Sequence, residues 1–549
     1  MVRVVAVVLL FGARCALAQP EIVPAEHPVY AFLADQRVAG VLPEFRAEAL
    51  PWGRSTVRRM LDSLAVRDSR LGASGRFWLA EYRREFFEPL EGVHSFVGDG
   101  EAALLDPNAE RTLFYHRSDD WRVAVIGEGT AQARASDADG TPGGLARVAT
   151  LTFEGNWKQR LGIYTSTFAG AQVTGDTRVL QSDPVLRPLF YVSSIEVPQG
   201  PFDRTTASLR TEAGPFSAEI ANERLRYGTS AAQPLVLGDG ADYLPFVRLG
   251  LHSKVVDVQA VHAALNDQSV FTIDEEDGTN YLAGPDRYLA LHRLEVQPVS
   301  WASAAFTEMA VYGFRNVEVA YLNPLFPVKA AEHALWDRDN TLFTLEATVR
   351  PIRGTEVYGT WLVDDLATAR LGDADYGNKW GVQVGGQVAV PRGGVTVFGE
   401  YTRIEPYTYT HRFQREGSFY NSYVHNGFGL GHPLGPNSDQ WLAGVQAWLP
   451  FRARLRAAAR YVRHGANPVD PVTGEVTNVG GDVADGTFPG FGPDTKQFLA
   501  GDLYEGPGLQ GLVEVEPFHG VTFRLFGDAQ WWRDRPDDVF VRFELAVRP

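Results

Sequence analysis

The chain of 549 residues has one cysteine, three methionines and only five lysines. Cys15 lies in an opening stretch that reads as a secretory signal: Arg3, an apolar run, then Ala16-Leu17-Ala18 as a small-x-small cleavage pattern, giving a signal over residues 1–18. Arg14 stands before Cys15, where lipidation requires a small residue. With the signal removed no thiol remains, which excludes disulfides, cysteine-ligated metals and cysteine nucleophiles. After the signal no run of 18 or more apolar residues appears, which excludes a transmembrane helix. Net positive charge is also missing. The formal charge is −16, or −18 without Arg3 and Arg14, and this argues against nucleic acid as a partner.

What the chain does have is a rhythm of two. In residues 343–349, Phe343, Leu345, Ala347 and Val349 alternate with Thr344, Glu346 and Thr348. Trp380, Val382, Val384, Gly386, Val388 and Val390 alternate with smaller or polar residues, and so do Val539, Val541, Phe543, Leu545 and Val547. About 18 such segments run from Trp121 to Pro549, too many for one water-soluble core. No repeat of about 40–50 residues marks a propeller. A bilayer admits strands only as a closed barrel. The predicted fold is an all-β transmembrane barrel of about 18 antiparallel strands over residues 121–549.

Tight turns are predicted near Lys158-Gln159, Gly214-Pro215, His252-Ser253, Pro298-Val299, Arg353-Gly354, Arg392-Gly394, Pro450-Phe451 and His519-Gly520. Longer loops lie between them, at 135–144, 173–203, 226–243, 266–285, 311–339, 366–377, 405–437 and 465–505. Alternation is least clean near 189–212 and 286–310. Residues 19–92 have a helical period instead, with Val57, Met60, Leu61 and Leu64 on one face and Trp78, Tyr82 and Phe86 on another. Ser55 and Ser74 are the expected caps. A small helical bundle on the periplasmic side is predicted, joined to the barrel by residues 93–120.

Several stretches, weak singly but ordered along the chain, carry a resemblance. They are His27-Pro-Val-Tyr-Ala-Phe-Leu33, Trp52-Gly-Arg-Ser-Thr-Val57, Tyr321-Leu-Asn-Pro324, Asp364-Asp365, Pro406-Tyr-Thr-Tyr409 and Gly431-His-Pro-Leu-Gly-Pro436. In these the chain resembles the Wzi-type capsule assembly family of outer-membrane barrels. The resemblance implies an 18-stranded barrel with an N-terminal helical bundle. It also implies lectin-like binding of capsular polysaccharide, so that the polymer is assembled or retained on the cell surface.

Two sets of residues are candidates for function. Sugars present apolar C–H faces and many hydroxyls, which suit aromatic rings and polar side chains. Loop 405–437 offers Tyr407, Tyr409, His411, Phe413, Tyr420, Tyr423, His425, Asn426 and His432, and loop 311–339 offers Arg315, Tyr321 and Asn323. An aromatic girdle or loop self-packing is the plainer account of the first loop. A plug folded into the lumen is the plainer account of the second. The lumen row carries Arg452, Arg454, Arg456 and Arg460 with Glu346, Glu356, Asp364, Glu400, Glu514, Arg524 and Asp528. Its mixed signs suit ion pairs that close the lumen better than a selective pore, which carries rings of one sign.

No catalytic residue, metal or cofactor is expected. No Gly-x-Ser-x-Gly nucleophile elbow is present, and the spacings of 14 and 7 between His411, His425 and His432 match no strong metal pattern. The acids Asp274 to Asp277 read as a solvated tip. The expected partners are surface polysaccharide and outer-membrane lipid, for a chain acting as a monomer. The alternative is a porin or oligosaccharide channel.

Overall fold

The computed structural model describes residues 19–549 except 47, 138–142, 176, 181, 184, 188–200, 241, 267–270, 274–279, 283–285, 371–372, 392, 412–414, 416–417 and 486–494. Residues 1–18, expected to be a signal, and Phe413 and the acids 274–277 lie outside the described residues. Among the described residues no helix is long and apolar enough to cross a membrane.

Eighteen antiparallel strands, from Trp121–Ser136 to Asp538–Val547, close a barrel. Closure is made by Val547 pairing with Gly129 and Phe540 with Ser136. Exposure is inverted relative to a protein in water. Ile220, Val247, Leu249, Val357, Val384 and Leu509 stand exposed on the outer face, while Glu219, Arg248, Arg293 and Glu356 on neighbouring positions are buried inside. Lipid outside and a polar interior account for both faces of that alternation.

The short turns lie together at one end. Lys158-Gln159 and Phe451-Arg452 both take positive φ at two successive residues within three-residue connections, 158–160 and 450–452, a turn backbone whose twist matches that of the strands. The turn expected at Pro298-Val299 falls instead at residues 300–301. The strand Arg287–Val299 runs two residues further because of a bulge between Val296 and Val299. Arg452, expected on the lumen row, is a correction of the same kind. It occupies the turn, and its guanidinium reaches Glu81 at 2.7 Å and Asn108 at 2.9 Å.

Three helices, α1 (Pro28–Val38), α2 (Arg54–Ala65) and α3 (Ala73–Phe87), sit at the short-turn end. Their core is Phe32, Leu33, Leu61, Trp78, Tyr82 and Phe86, and it includes Trp448 from the barrel wall. Ser55 and Ser74 do not cap these helices. Gly53 and Gly72 hold the cap positions, and the hydroxyls donate outward, Ser55 to Glu212 at 2.7 Å and Ser74 to the Trp448 carbonyl. Both serines dock the bundle on the barrel. Residues 93–120 contain two strands, Val93–Gly98 and Glu110–Arg117. The second pairs with the start of strand Trp121–Ser136 and extends the wall beyond the end of the last strand.

The other end is closed from within. Loop 224–240 and loop 405–437 turn into the lumen, where Leu235, Val236, Leu237, Tyr409, Tyr423 and Leu430 pack against Leu289, Leu291, Met309, Val311, Leu342, Leu362 and Ile404 of the wall. The two inserts meet near mid-lumen, where Arg226–Tyr227 of the loop pairs with Ala49–Leu50 of the N-terminal segment.

Loop 314–339 goes the other way, a correction to the expected plug. Wall residues Ala290, Ala310 and Tyr312 alternate with lumen-facing Leu289, Leu291, Met309 and Val311, so they point outward. Tyr321 and helix α4 (Val328–Ala334) cover them. The cover also meets polar groups on the outer face. The Tyr312 hydroxyl and His262 lie 2.7 Å apart, His292 lies 3.2 Å from the Tyr321 carbonyl, and Glu308 accepts from the Val328 amide at 3.1 Å. With the plug inside and this loop outside, both faces of strands Arg287–Val299 and Ala302–Gly313 are covered, which is why their alternation is blurred.

Candidate functional site

The aromatic residues of loop 405–437 belong mostly to the interior. The Tyr409 hydroxyl donates to the Leu235 carbonyl at 2.8 Å and the Tyr423 hydroxyl to the Val236 carbonyl at 2.8 Å. Their rings stack, with centroids 5.6 Å apart. Tyr407 is buried against Tyr376, and its hydroxyl donates to the Asn478 carbonyl. His425 accepts from the Asn266 amide at 3.0 Å, and Asn426 donates to Asp242 at 2.9 Å. Burial pushes the His425 imidazole down to about 4 and that of His432 to about 3, so both are neutral at pH 7. These rings and hydroxyls are taken up by the plug, and none of Tyr407, Tyr409, Tyr423, His425 or His432 presents a free face to a polymer. Tyr420 is half-buried with Phe314 edge-on at 4.9 Å, and His411 is half-buried. Arg315 and Tyr321 share Asp339, at 2.6 and 2.7 Å, on the outer wall. Asn323 is exposed there.

The charged lumen row performs two tasks. Part of it pairs along the wall: Arg454 with Glu514 at 2.7 Å and Arg524 with the same Glu514 at 2.5 Å on adjacent strands, and Arg460 with Asp528 at 2.5 Å across the strand between them. The rest pins the inserts. Glu346 holds Arg293 and accepts the Thr229 amide at 2.8 Å. Glu400 accepts from Ser230 at 2.7 Å and Tyr358 at 2.6 Å. Asp364 accepts the Tyr409 amide at 2.7 Å, and Glu356 takes Arg37 of α1. Irregular loops that enter a barrel leave backbone donors unsatisfied, and wall carboxylates supply the acceptors.

Beside the inserts lies a cavity of about 1120 Å³, above the usual range of roughly 300–1,000 Å³ for small-ligand sites. Tyr30, Asp35 and Arg37 of the bundle line its inner end, Phe398, Arg456 and Arg460 its wall, and Tyr504, Trp532, Arg535 and Asp538 its end near the long loops. Arg456 has no carboxylate within pairing distance among the described residues. It donates to Gln446 and the Ala231 carbonyl and lies 4.6 Å from the Phe398 ring. At the rim Arg535 lies over both Trp532, at 4.6 Å, and Tyr504, at 4.9 Å, and pairs with Asp538 at 2.9 Å. Sequence reasoning missed this rim because residues 531–537, the ninth long-end connection, are as short as a turn. The run Trp531-Trp532-Arg533-Asp534-Arg535 was the available signal.

No protein-family model and no curated protein matches the chain. Among solved structures it is similar to Wzi of Escherichia coli, described as an outer membrane protein involved in group 1 capsule assembly and a carbohydrate-binding β-barrel. The two share 12% identity over 96% of this chain and 99% of that one, with a TM-score of 0.59. It also matches OprD of Pseudomonas aeruginosa at 9% identity, over 77% of this chain and 95% of that one, with a TM-score of 0.42. OccAB4 of Acinetobacter baumannii matches at 11% identity, over 79% and 98%, with a TM-score of 0.42. The likeness to Wzi extends over nearly the whole length of both chains, and the fold is that of the Wzi barrel.

Proposed function

We propose that this protein is an outer-membrane barrel that binds surface polysaccharide at its long-loop end and helps to assemble or retain it there. The helical bundle then faces the periplasm, because outer-membrane barrels keep short turns on that side. The observation that carries the reading is the double closure of the lumen, with loop and bundle joined through the pairing of Arg226–Tyr227 with Ala49–Leu50. A diffusion pore has no use for two inserts joined backbone to backbone. The carbohydrate binding described for Wzi lends support, as does the rim of Tyr504, Trp532, Arg535 and Asp538. Two aromatic rings set edge to face beside a guanidinium and a carboxylate offer a sugar apolar surface and charged hydrogen-bond partners. Many such weak contacts along a polymer add up through avidity.

The test is single-channel recording of the refolded full chain in a planar bilayer, together with retention on immobilised acidic polysaccharide. A closed barrel with polymer retention is expected, and Trp532→Ala with Arg535→Ala should weaken retention about tenfold, the equivalent of ~1.4 kcal/mol. A large steady conductance without retention would turn the reading into a channel.

A further inference from the structure

Ser217, His252 and Asp257 stand in a row on the lumen face near the short turns. The register puts them there: Ser217 pairs with Gly250, and His252 pairs with Asp257 on the next strand. Gly250 and His252 are two residues apart and point the same way. Ser217 Oγ lies 2.8 Å from His252 Nε2, and His252 Nδ1 lies 2.5 Å from Asp257 Oδ2. A proton held on Nδ1 by the carboxylate leaves Nε2 as the acceptor of the serine proton.

Two further features separate this row from an ordinary satisfied histidine. Asp257 is itself held, accepting from Gln259 at 2.9 Å, while Gln259 accepts from the buried Tyr227 hydroxyl at 2.6 Å. A side chain at residue 250 would collide with both Ser217 Oγ and His252 Nε2, so the glycine is what lets the hydroxyl and the imidazole meet. The His252 side chain is 33% exposed, and the more deeply set Ser217 is approached past it from the short-turn end.

We infer that Ser217, His252 and Asp257 form a serine esterase site for short-chain carboxylic esters presented at the short-turn end, an activity independent of polysaccharide binding at the opposite end. Ser217 Oγ attacks the ester carbonyl carbon as its proton passes to His252 Nε2. The carbon–oxygen bond to the alcohol breaks, and the alcohol leaves with that proton. Water then attacks the acyl-serine, giving a proton to His252, and the carboxylic acid departs as Ser217 Oγ regains its hydrogen. Asp257 is a positioning residue that fixes the imidazole. The acyl group is small, because Ser217 is only 7% exposed and its Oγ admits only a slight group.

The test uses the full chain, folded in detergent, with a small fluorophosphonate and with p-nitrophenyl acetate. Peptide mapping of the unmodified protein comes first and needs no variant. An adduct on Ser217 is expected, and its absence there overturns the proposal. Ser217→Ala and His252→Gln, in barrels that keep their heat-modifiable migration, should lower kcat/KM at least about 100-fold. Asp257→Asn should lower kcat with KM kept, a split that a purely structural role would not produce. Unchanged hydrolysis by Ser217→Ala also overturns the proposal.

Discussion

Arg37 Nη2 on α1 meets Glu356 Oε1 on the barrel wall at 2.8 Å, with both side chains buried. The same guanidinium holds Glu48 at 2.5 Å, and Glu356 also takes Arg350 at 3.1 Å. The bundle is thus fastened through a shared set of charges, none of which can be withdrawn alone. Truncating one member of a buried ion pair leaves its partners uncompensated, at a cost of about 3–5 kcal/mol. Arg37→Ala should therefore loosen the bundle, seen as flickering conductance and as trypsin cleavage within residues 19–92 where the unmodified protein resists. A variant that stays silent and uncut would show that apolar packing around Trp448 suffices.

Asp35, also on α1, makes bundle docking depend on pH. Burial raises its carboxyl from 3.8 to about 6, although hydrogen bonds from Gln446 and Trp448 pull it down. The folded state therefore holds this proton more tightly than the unfolded chain does. Stability from this group is full below about 3.8 and is lost as pH rises through about 6, some 2–3 kcal/mol in all. Asp35→Asn should flatten that slope and melt higher than the unmodified protein at pH 7. Helix circular dichroism during melting, from pH 4 to pH 7, reads it directly. An unchanged slope would mean that another group carries it.

The outer-wall loop covers His262, His292 and Glu308, polar groups that bare lipid would penalise. Tyr321 is the centre of this cover. Its ring packs tilted against Tyr312, with centroids 5.1 Å apart, and its hydroxyl donates to Asp339 at 2.7 Å. Tyr321→Ala should cost about 3–5 kcal/mol locally. Limited proteolysis should then cut between residues 314 and 339 while the barrel keeps its folded migration on a gel. If the loop stays protected, its hold comes from α4 instead.

How much of this was written in the sequence follows from distance along the chain. The barrel was legible because every strand states its own two faces: Ile220 beside Glu219 needs no partner to be read. Turns such as Lys158-Gln159 were legible for the same local reason. The plug was not. Leu235 and Tyr409 each sit in a loop rich in polar residues, and their contact spans 174 positions. Nothing near either one says that its partner is the other. The aromatic content that made loop 405–437 look like a sugar platform is the same content a plug core requires. Ser217, His252 and Asp257 were hidden differently, since only the exact pairing of three strands sets them side by side.

Among the bonds that hold the plug, those of Tyr423 are the most telling. Its hydroxyl donates to the Val236 carbonyl at 2.8 Å and lies 3.1 Å from Met309 Sδ on the wall, so one atom joins loop 405–437, loop 224–240 and the barrel. Tyr423→Phe keeps the ring but leaves the Val236 carbonyl without this donor in an apolar surround, a cost of about 1–3 kcal/mol. Tyr409→Phe does the same to Leu235. Because the two rings stack, the losses should not add independently. The double variant should keep a folded barrel and show conductance bursts that either single variant shows rarely. Those bursts should carry current through the space beside the inserts, so Arg456→Glu in the same background should shift the ion preference toward cations. Bursts with unchanged preference would place the opening elsewhere in the wall.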